Sequence, residues 1–411
     1  MNQMKRTSGL TVAALSVAAL LAMSGCANQG SAGGGGEEGS SDRVELPVQE
    51  KLDVPEDVVK AAGDGKAKCD SKTTIAYVGA MTGPNAQLGI NIYNGSQTAI
   101  DEHNAANPDC QVTFKKIDTE GDPAKATGPS AQATKEDNII GVVGLPFSGE
   151  SKATGGIFED AGLVHISPAA TNPDLSTNGW KTFFRGLGND TVQGPALVKL
   201  VEKLEAEKTC LIEDDSDYGM GLAKVVKEKM GDKLECEDAV TTGQKDFAPT
   251  IQKIMDSKAD TVIYSGYFAE GAPLDNQLVN KGFDGYFIGP DGVKDTAFVK
   301  QAGDAANNAY YTCTCVPGDL IPEFAEAFEK VSGGDAPGTY SVEGYDTMTI
   351  FLSGIDKGIT DRKKMTEYVR DYNGVGYGKT YKWDDTGELE DKAVYGYKTE
   401  GDGIVSVGLI E

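Results

Sequence analysis

The chain is predicted to fold as an α/β protein of two similar units, each a mostly parallel sheet with helices on both faces. Three observations predict this. Short apolar runs alternate with helical segments from residue 72 to residue 289, the alternation breaks near Gly186–Asn189 and then repeats, and turn residues follow the runs. Such sheets bind ligands in the loops that leave the carboxyl ends of their strands.

In the first unit, Lys72–Met81 reads as a strand running into Thr82-Gly83-Pro84-Asn85. Ala86–Asn104 is a helix, with Leu88, Ile92, Ala99 and Ile100 on one side. Gln111–Asp118 is a strand, and Pro123 opens a helix to about Asp137, since proline favours the first turn. Asn138–Leu145 is a β-branched strand ending in Pro146-Phe147-Ser148-Gly149, with a helix through Ala161. Leu163–Ile166 is a strand that stops in Ser-Pro-Ala-Ala-Thr-Asn-Pro. Pro168 and Pro173 lack N–H groups and bias Ser167 and Asn172 away from helix, so this loop is extended, with backbone groups left free.

The second unit repeats the pattern. Helices are expected at Thr191–Ala206, Tyr218–Met230 and Asp246–Met255, and from Phe268 to about Asn280. Strands are expected at Thr209–Glu213, Leu234–Val240, Asp260–Ser265 and Gly285–Ile288, the last followed by Gly289-Pro290-Asp291-Gly292. After Cys315 come helices at Pro322–Lys330, Tyr340–Asp356 and Arg362–Asp371, then short strands at Thr380–Trp383, Lys392–Tyr397 and Ile404–Leu409. The turn Asp384-Asp385-Thr386-Gly387 lacks the spacing of a calcium loop.

The N-terminus has a different composition. Lys5 and Arg6 precede a short apolar run, Leu10–Met23, which fits an export signal and is too short to span a bilayer. Ala27–Ser41 is Gly/Ser-rich and reads as a tether, and acidic Asp42–Lys66 as its continuation. The net charge of −25 over 411 residues argues against nucleic acid or an anionic membrane surface as partner. Besides Cys26 there are Cys69, Cys110, Cys210, Cys236, Cys313 and Cys315, an even set that in an exported chain favours disulfides. Cys69 and Cys110 each precede a strand, as Cys210 and Cys236 do more loosely. Consecutive strands of such units are often neighbours, so Cys69–Cys110 and Cys210–Cys236 are the expected pairs. Cys313 and Cys315 are left as a tight loop or free thiols.

Signs of catalysis are thin. The sequence has no Walker loop, no three-glycine dinucleotide motif and no Gly-x-Ser-x-Gly elbow, and no cofactor or metal is implied. His165 lies in an apolar strand and reads as a core residue; His103, near a polar helix end, reads as solvated. Binding chemistry fits better. Hydroxyls and free N–H groups at Ser148 and Thr171 suit a carboxylate, whereas the Ala169 carbonyl and the Asp291 carboxylate suit an ammonium. Tyr267 could add a hydroxyl and Tyr218 a wall.

Taken together, GAMTGPNAQLG (79–89), ISPAATNPDLS (166–176), DYGMGLA (217–223), KDFAPTI (245–251), YSGYFAEG (264–271) and IGPDGV (288–293) resemble the branched-chain amino acid-binding proteins of ABC importers. The resemblance runs from about residue 72 to 357 and more weakly beyond. It implies a two-lobed Venus-flytrap fold of periplasmic-binding type I. Residues 69–189 with 317–378 would form lobe one, and 190–316 with 379–411 lobe two. Ser148, Ala169 and Thr171 match lobe-one ligand residues, and Tyr218, Tyr267 and Asp291 those of lobe two. Leu88, Phe147 and Tyr340 would line the pocket. Met23-Ser24-Gly25-Cys26 resembles a lipobox, implying removal of residues 1–25, diacylation of Cys26 and a tether over 26–68 on the outer face of the membrane.

The implied function is capture of a small amino acid, leucine, isoleucine or valine, by a monomer that hands it to membrane permease subunits without converting it. Two departures keep neighbouring ligands open: Asp291 stands where a glutamate is expected, and Leu88 where an aromatic is expected. The alternatives are an amide, urea or other small polar solute on the same fold, a ligand-sensing module, and a secreted enzyme.

Overall fold

The computed structural model describes residues 43–70 and 72–410. The expected signal, Cys26 and the Gly/Ser-rich tether lie outside the described residues. The first sheet holds β1 (Thr74–Gly79), β2 (Thr113–Asp118), β3 (Ile139–Gly144), β4 (His165–Ser167) and β5 (Phe183–Arg185). All its pairings are parallel, in the order β2-β1-β3-β4-β5. β1 and β3, with sequences TIAYVG and IIGVVG, are buried at every position. That is the pattern of strands covered on both faces. The connecting helices are α1 (Ala86–Ala106), α2 (Pro123–Thr134) and α3 (Ser148–Asp160).

The second unit starts with α4 (Asp190–Lys203) and β6 (Thr209–Asp214), followed by α5 (Asp217–Met230), β7 (Leu234–Val240) and α6 (Ala248–Ser257). It continues through β8 (Thr261–Ser265), α7 (Phe268–Asn280), β9 (Tyr286–Gly289), α8 (Thr296–Ala302) and β10 (Ala309–Cys313). Then come α9 (Pro322–Ser332), α10 (Ser341–Asp356) and α11 (Arg362–Arg370), with α10 and α11 packed against β3 of the first sheet. A two-residue pair, β11 (Gly374–Val375) and β12 (Thr380–Tyr381), precedes β13 (Tyr395–Glu400) and β14 (Gly403–Leu409). The second sheet has the order β14-β13-β10-β9-β8-β6-β7, with β13 antiparallel to both of its neighbours. The chain therefore passes between the sheets three times, after β5, after β10 and after β12.

Strand order reverses at β1/β3 in one sheet and at β6/β8 in the other. Those are the crevices where ligands enter such sheets.

Several expectations are corrected. β5, α8 and β10 were not anticipated: β5 is three residues long, α8 seven, and β10 (AYYTC) is masked by the turn-rich segment before it. His103 is not solvated; it is buried, with Nε2 2.8 Å from Asp356 Oδ1. His165 is the core residue expected, packed with its ring tilted against those of Phe158 and Phe183, and burial drives its pKa down to about 3. Residues 44–67 are not a free stalk. Gln49 N donates to Ser406 O at 2.7 Å on β14, and Val59 N to Val375 O at 2.9 Å on β11. Val58, Ala61 and Ala67 are buried, and Lys60 pairs with Glu323 of α9. Sparse apolar residues in an acidic stretch hid this docking.

Among the described residues three disulfides are formed: Cys69–Cys110 and Cys210–Cys236, the pairings expected, and Cys313–Cys315, the tight-loop alternative. Cys210 and Cys236 are direct register partners on β6 and β7.

α1 and α10 cross closely because both present glycine at the contact. A Cβ on Gly95 would lie 1.9 Å from Ser341 O, and one on Gly344 2.4 Å from Ile92 O. Ser96 Oγ, next to Gly95, donates to Gly344 O at 2.9 Å. Gly95→Ala is expected to cost about 1–3 kcal/mol by forcing the helices apart. Urea unfolding of the pair of proteins checks it, and an unchanged midpoint would contradict the close crossing.

Candidate functional site

The loop after β4 is the centre of the site. Ser167 Oγ donates to Leu145 O at 2.7 Å and accepts from Ala170 N at 3.0 Å, which folds the chain sharply at Pro168. The Ala169 N–H and C=O and the Thr171 N–H make no hydrogen bond among the described residues, and Thr171 Oγ1 also has no partner. Ala169 and Thr171 are nonetheless buried. Ser148 opens α3, where helix N–H groups are unpaired. Its Oγ accepts from Asn172 N at 3.2 Å, so its own proton is free to donate outward. Together these groups form a concentration of unfilled donors, with one carbonyl beside them.

The second-sheet side faces this loop. Ser216 caps α5 through its Oγ, accepting from Gly219 N at 2.9 Å, and this sets Tyr218 at the helix start. The Tyr218 hydroxyl donates to Asp291 Oδ1, and Gln193 Nε2 donates to the same oxygen at 2.9 Å. Tyr340 donates to Asp291 Oδ2 at 2.7 Å. Asp291 is fully buried. Burial raises its carboxyl above the ordinary carboxylate range, against the pull of these three donors. The Tyr267 ring lies edge-on to Phe147 at 5.0 Å between centroids and tilted against Tyr218 at 5.0 Å, bridging the two sides.

Direct bonds draw the two sides together. Asn172 Nδ2 donates to Asp217 O at 2.6 Å, and Asn91 Nδ2 to Asp295 Oδ2 at 3.0 Å. The Tyr340–Asp291 bond belongs to the same set, because Tyr340 immediately precedes α10, which packs on the first sheet.

Ser148, Ala169, Thr171, Tyr218, Tyr267, Asp291, Phe147 and Tyr340 therefore converge. Leu88 is fully buried on α1, in the apolar core shared with Phe147 and Tyr340, and makes no polar contact with the set. Three residues were missed by sequence reasoning. Gln193 and Asp190 lie three apart on the first turns of α4, behind the Asn189 cap, and so share a face. Arg185, fully buried at the end of β5, donates to Ala170 O, to Asn172 O at 3.0 Å and to both oxygens of Glu388. It thereby fixes the β4 loop from behind. An isolated arginine in a Phe-Phe-Arg run was a signal that could have been read. No group of three or more His, Cys, Asp or Glu residues placed to hold a metal is found among the described residues.

A sequence profile described as periplasmic binding protein matches residues 72–395. The leucine-, isoleucine-, valine-, threonine- and alanine-binding protein of Pseudomonas aeruginosa is 31% identical over 308 residues, covering 72% of this chain and 81% of that one. The leucine-specific-binding protein of Salmonella typhimurium is 33% identical over 261 residues, covering 62% and 70%. Among solved structures, the branched-chain amino acid transporter substrate-binding protein of Streptococcus pneumoniae, in complex with isoleucine, superposes with a TM-score of 0.73. It is 25% identical, with 81% of this chain and 99% of that one covered.

Proposed function

Because the chain belongs to the periplasmic binding protein family, a substrate-binding family of transporters and not of enzymes, we propose that it captures a branched-chain amino acid, leucine, isoleucine or valine, outside the cytoplasm and delivers it to an ABC permease. The observation that carries the reading is the set of buried, unfilled groups at Ala169 and Thr171, facing a buried Asp291 held by three donors. A zwitterion needs that combination: donors for its carboxylate and a counter-charge for its ammonium, both shielded from water.

The ligand docks on Ser148, Ala169 and Thr171. Its carboxylate takes the Ser148 and Thr171 hydroxyls and the Thr171 N–H, and its ammonium takes the Ala169 carbonyl. The second side then swings in with Tyr218, Tyr267 and Asp291, while Phe147, Tyr340 and Leu88 bound the side-chain space. Residues 69–189 with 317–378 move as one lobe and 190–316 with 379–411 as the other. Closure excludes water and makes a surface that the permease reads. The protein works as a monomer, held on the outer face of the membrane through lipid on Cys26 and released from a signal over residues 1–25.

Thermal unfolding with added leucine, isoleucine, valine, other amino acids, amides and urea tests this. A ligand bound only by the native state raises the midpoint, by about 2.7 kcal/mol of added stability at a hundredfold excess over Kd. A rise with the branched-chain amino acids, with the ligand recovered intact by mass spectrometry, is the expected result. Shifts with amides or urea alone would move the ligand class, and conversion of the ligand would overturn the transport reading.

A further inference from the structure

Arg185 is fully buried at the end of β5, behind the loop that carries Ala169 and Thr171. Its guanidinium donates from Nη1 to Ala170 O, and from Nη2 to Asn172 O at 3.0 Å and Ser176 Oγ at 3.2 Å. Nε and Nη2 also form a two-point pair with Glu388, at 3.0 Å to Oε2 and 2.9 Å to Oε1. Glu388 lies between β12 and β13, on the passage of the chain to the second sheet. That passage holds the Arg185 backbone as well. Arg185 N donates to Gly387 O at 3.0 Å, and the Trp383 indole N–H donates to Arg185 O at 2.6 Å. Burial opposes the Glu388 charge, but Arg185 and the Ser176 hydroxyl hold its carboxyl below the ordinary range, so the pair is ionised at neutral pH.

Holding Ala170 O has a consequence on the far side of that peptide. The Ala170–Thr171 bond is trans, so its C=O and N–H point in opposite directions. With the carbonyl fixed on Arg185, the Thr171 N–H is turned away from Arg185 and has no partner among the described residues. A carbonyl bonded to a guanidinium is polarised, and the N–H of the same peptide becomes a better donor. The Asn172 carbonyl pins the loop a second time, ahead of Pro173, which has no N–H to anchor it. The neighbouring peptide is set by a different group. Ala170 N donates to Ser167 Oγ at 3.0 Å, which turns the Ala169 carbonyl the other way.

We propose that Arg185 is a positioning residue for ligand capture, which aims the Thr171 N–H at the ligand's carboxylate, and that Glu388 holds the guanidinium in place from the passage after β12. The inference rests on the amino-acid reading given above. Arg185 itself touches no ligand atom. Its influence falls on the carboxylate end of the ligand, because the ammonium end is met by the Ala169 carbonyl, which Ser167 orients, and by Asp291.

The test compares L-leucine with L-leucinamide, which keeps the ammonium and lacks the carboxylate, by calorimetric titration and by displacement of bound L-leucine. In Arg185→Met/Glu388→Met both charges leave together, so the fold should hold, as urea unfolding checks. Kd for L-leucine should rise at least about tenfold, and Kd for leucinamide less than about threefold. The Thr171 amide proton gives a second readout: L-leucine should move its resonance downfield in the unmodified protein, and by clearly less in the variant. Should the double variant fail to fold, Arg185→Lys, which keeps the charge without the planar fork, is read in the same way. An unchanged Kd for L-leucine in a folded variant overturns the proposal. An equal loss for both ligands, or an equal displacement of the Thr171 resonance, overturns it too and leaves Arg185 a purely structural residue. Each of these results leaves the amino-acid reading standing. Failure of the unmodified protein to bind any amino acid overturns that reading and this one together.

Discussion

Replacing Asp291 with alanine is expected to weaken amino-acid binding by about 2–5 kcal/mol, a loss of roughly thirtyfold to several thousandfold in affinity. Two effects add. The ammonium loses a counter-charge in a site from which water is excluded, where charge-assisted bonds are strongest. In addition, the Tyr218 and Tyr340 hydroxyls, which donate to this carboxylate, lose that acceptor, and the Gln193 amide keeps only Thr312. Asp291→Asn keeps the shape and one acceptor oxygen and should lose less. Calorimetric titration of both variants, with circular dichroism to confirm folding, measures the difference. Unchanged affinity in Asp291→Ala would remove Asp291 from the ligand site.

The largest effect on stability is expected at Lys379. Its ammonium lies 2.6 Å from Glu343 Oε1 and donates to Thr314 O at 2.8 Å, with the two side chains only 3% and 0% exposed. Val316 N donates to the same Glu343 oxygen at 2.9 Å, while Glu343 Oε2 has no hydrogen-bond partner among the described residues. The pair thus joins α10 to the segment leaving β10 and to the segment leading to β12. Lys379→Met strands a buried carboxylate and should cost about 3–5 kcal/mol. Adding Glu343→Gln should recover much of that, since the cost comes from the uncompensated charge and not from the loss of the contact. Urea unfolding of the two single variants and the double variant gives the coupling. Additive losses would show that the ion pair is not what holds these segments.

Most of the strands were legible because parallel strands covered on both faces must be apolar throughout, and runs such as NIIGVVGL admit few other readings. The extended loop after β4 was legible because paired prolines leave backbone groups unbonded, and groups at Ala169 and Thr171 have no hydrogen-bond partner among the described residues. Asp190 and Gln193 were not legible. In a chain this acidic, an aspartate after an Asn cap is ordinary helix-start chemistry, and only the fold shows that it is buried against Asp291. Arg185 was hidden for a related reason, because its partner Glu388 lies 203 positions away. The docking of residues 44–67 was lost because it depends on backbone bonds and a few small side chains, which carry almost no hydrophobic signal.

That docked segment has a mechanical consequence. Its first part is fastened to the second sheet: Tyr286 donates to Val44 O at 3.2 Å, and Gln49 pairs through backbone and side chain with Ser406. Its later part is fastened to elements of the first: Lys60 to Tyr377 and Glu323, and Ala61 N to the Tyr345 hydroxyl at 3.4 Å. Any rotation that parts the sheets changes the separation of these two anchorages. The residues between Gln49 and Val59 must absorb the difference, and a stretch of about ten residues reaches at most about 35 Å. Under the closing motion proposed above, the segment acts as a strap between the two sheets, and its slack sets how far they part.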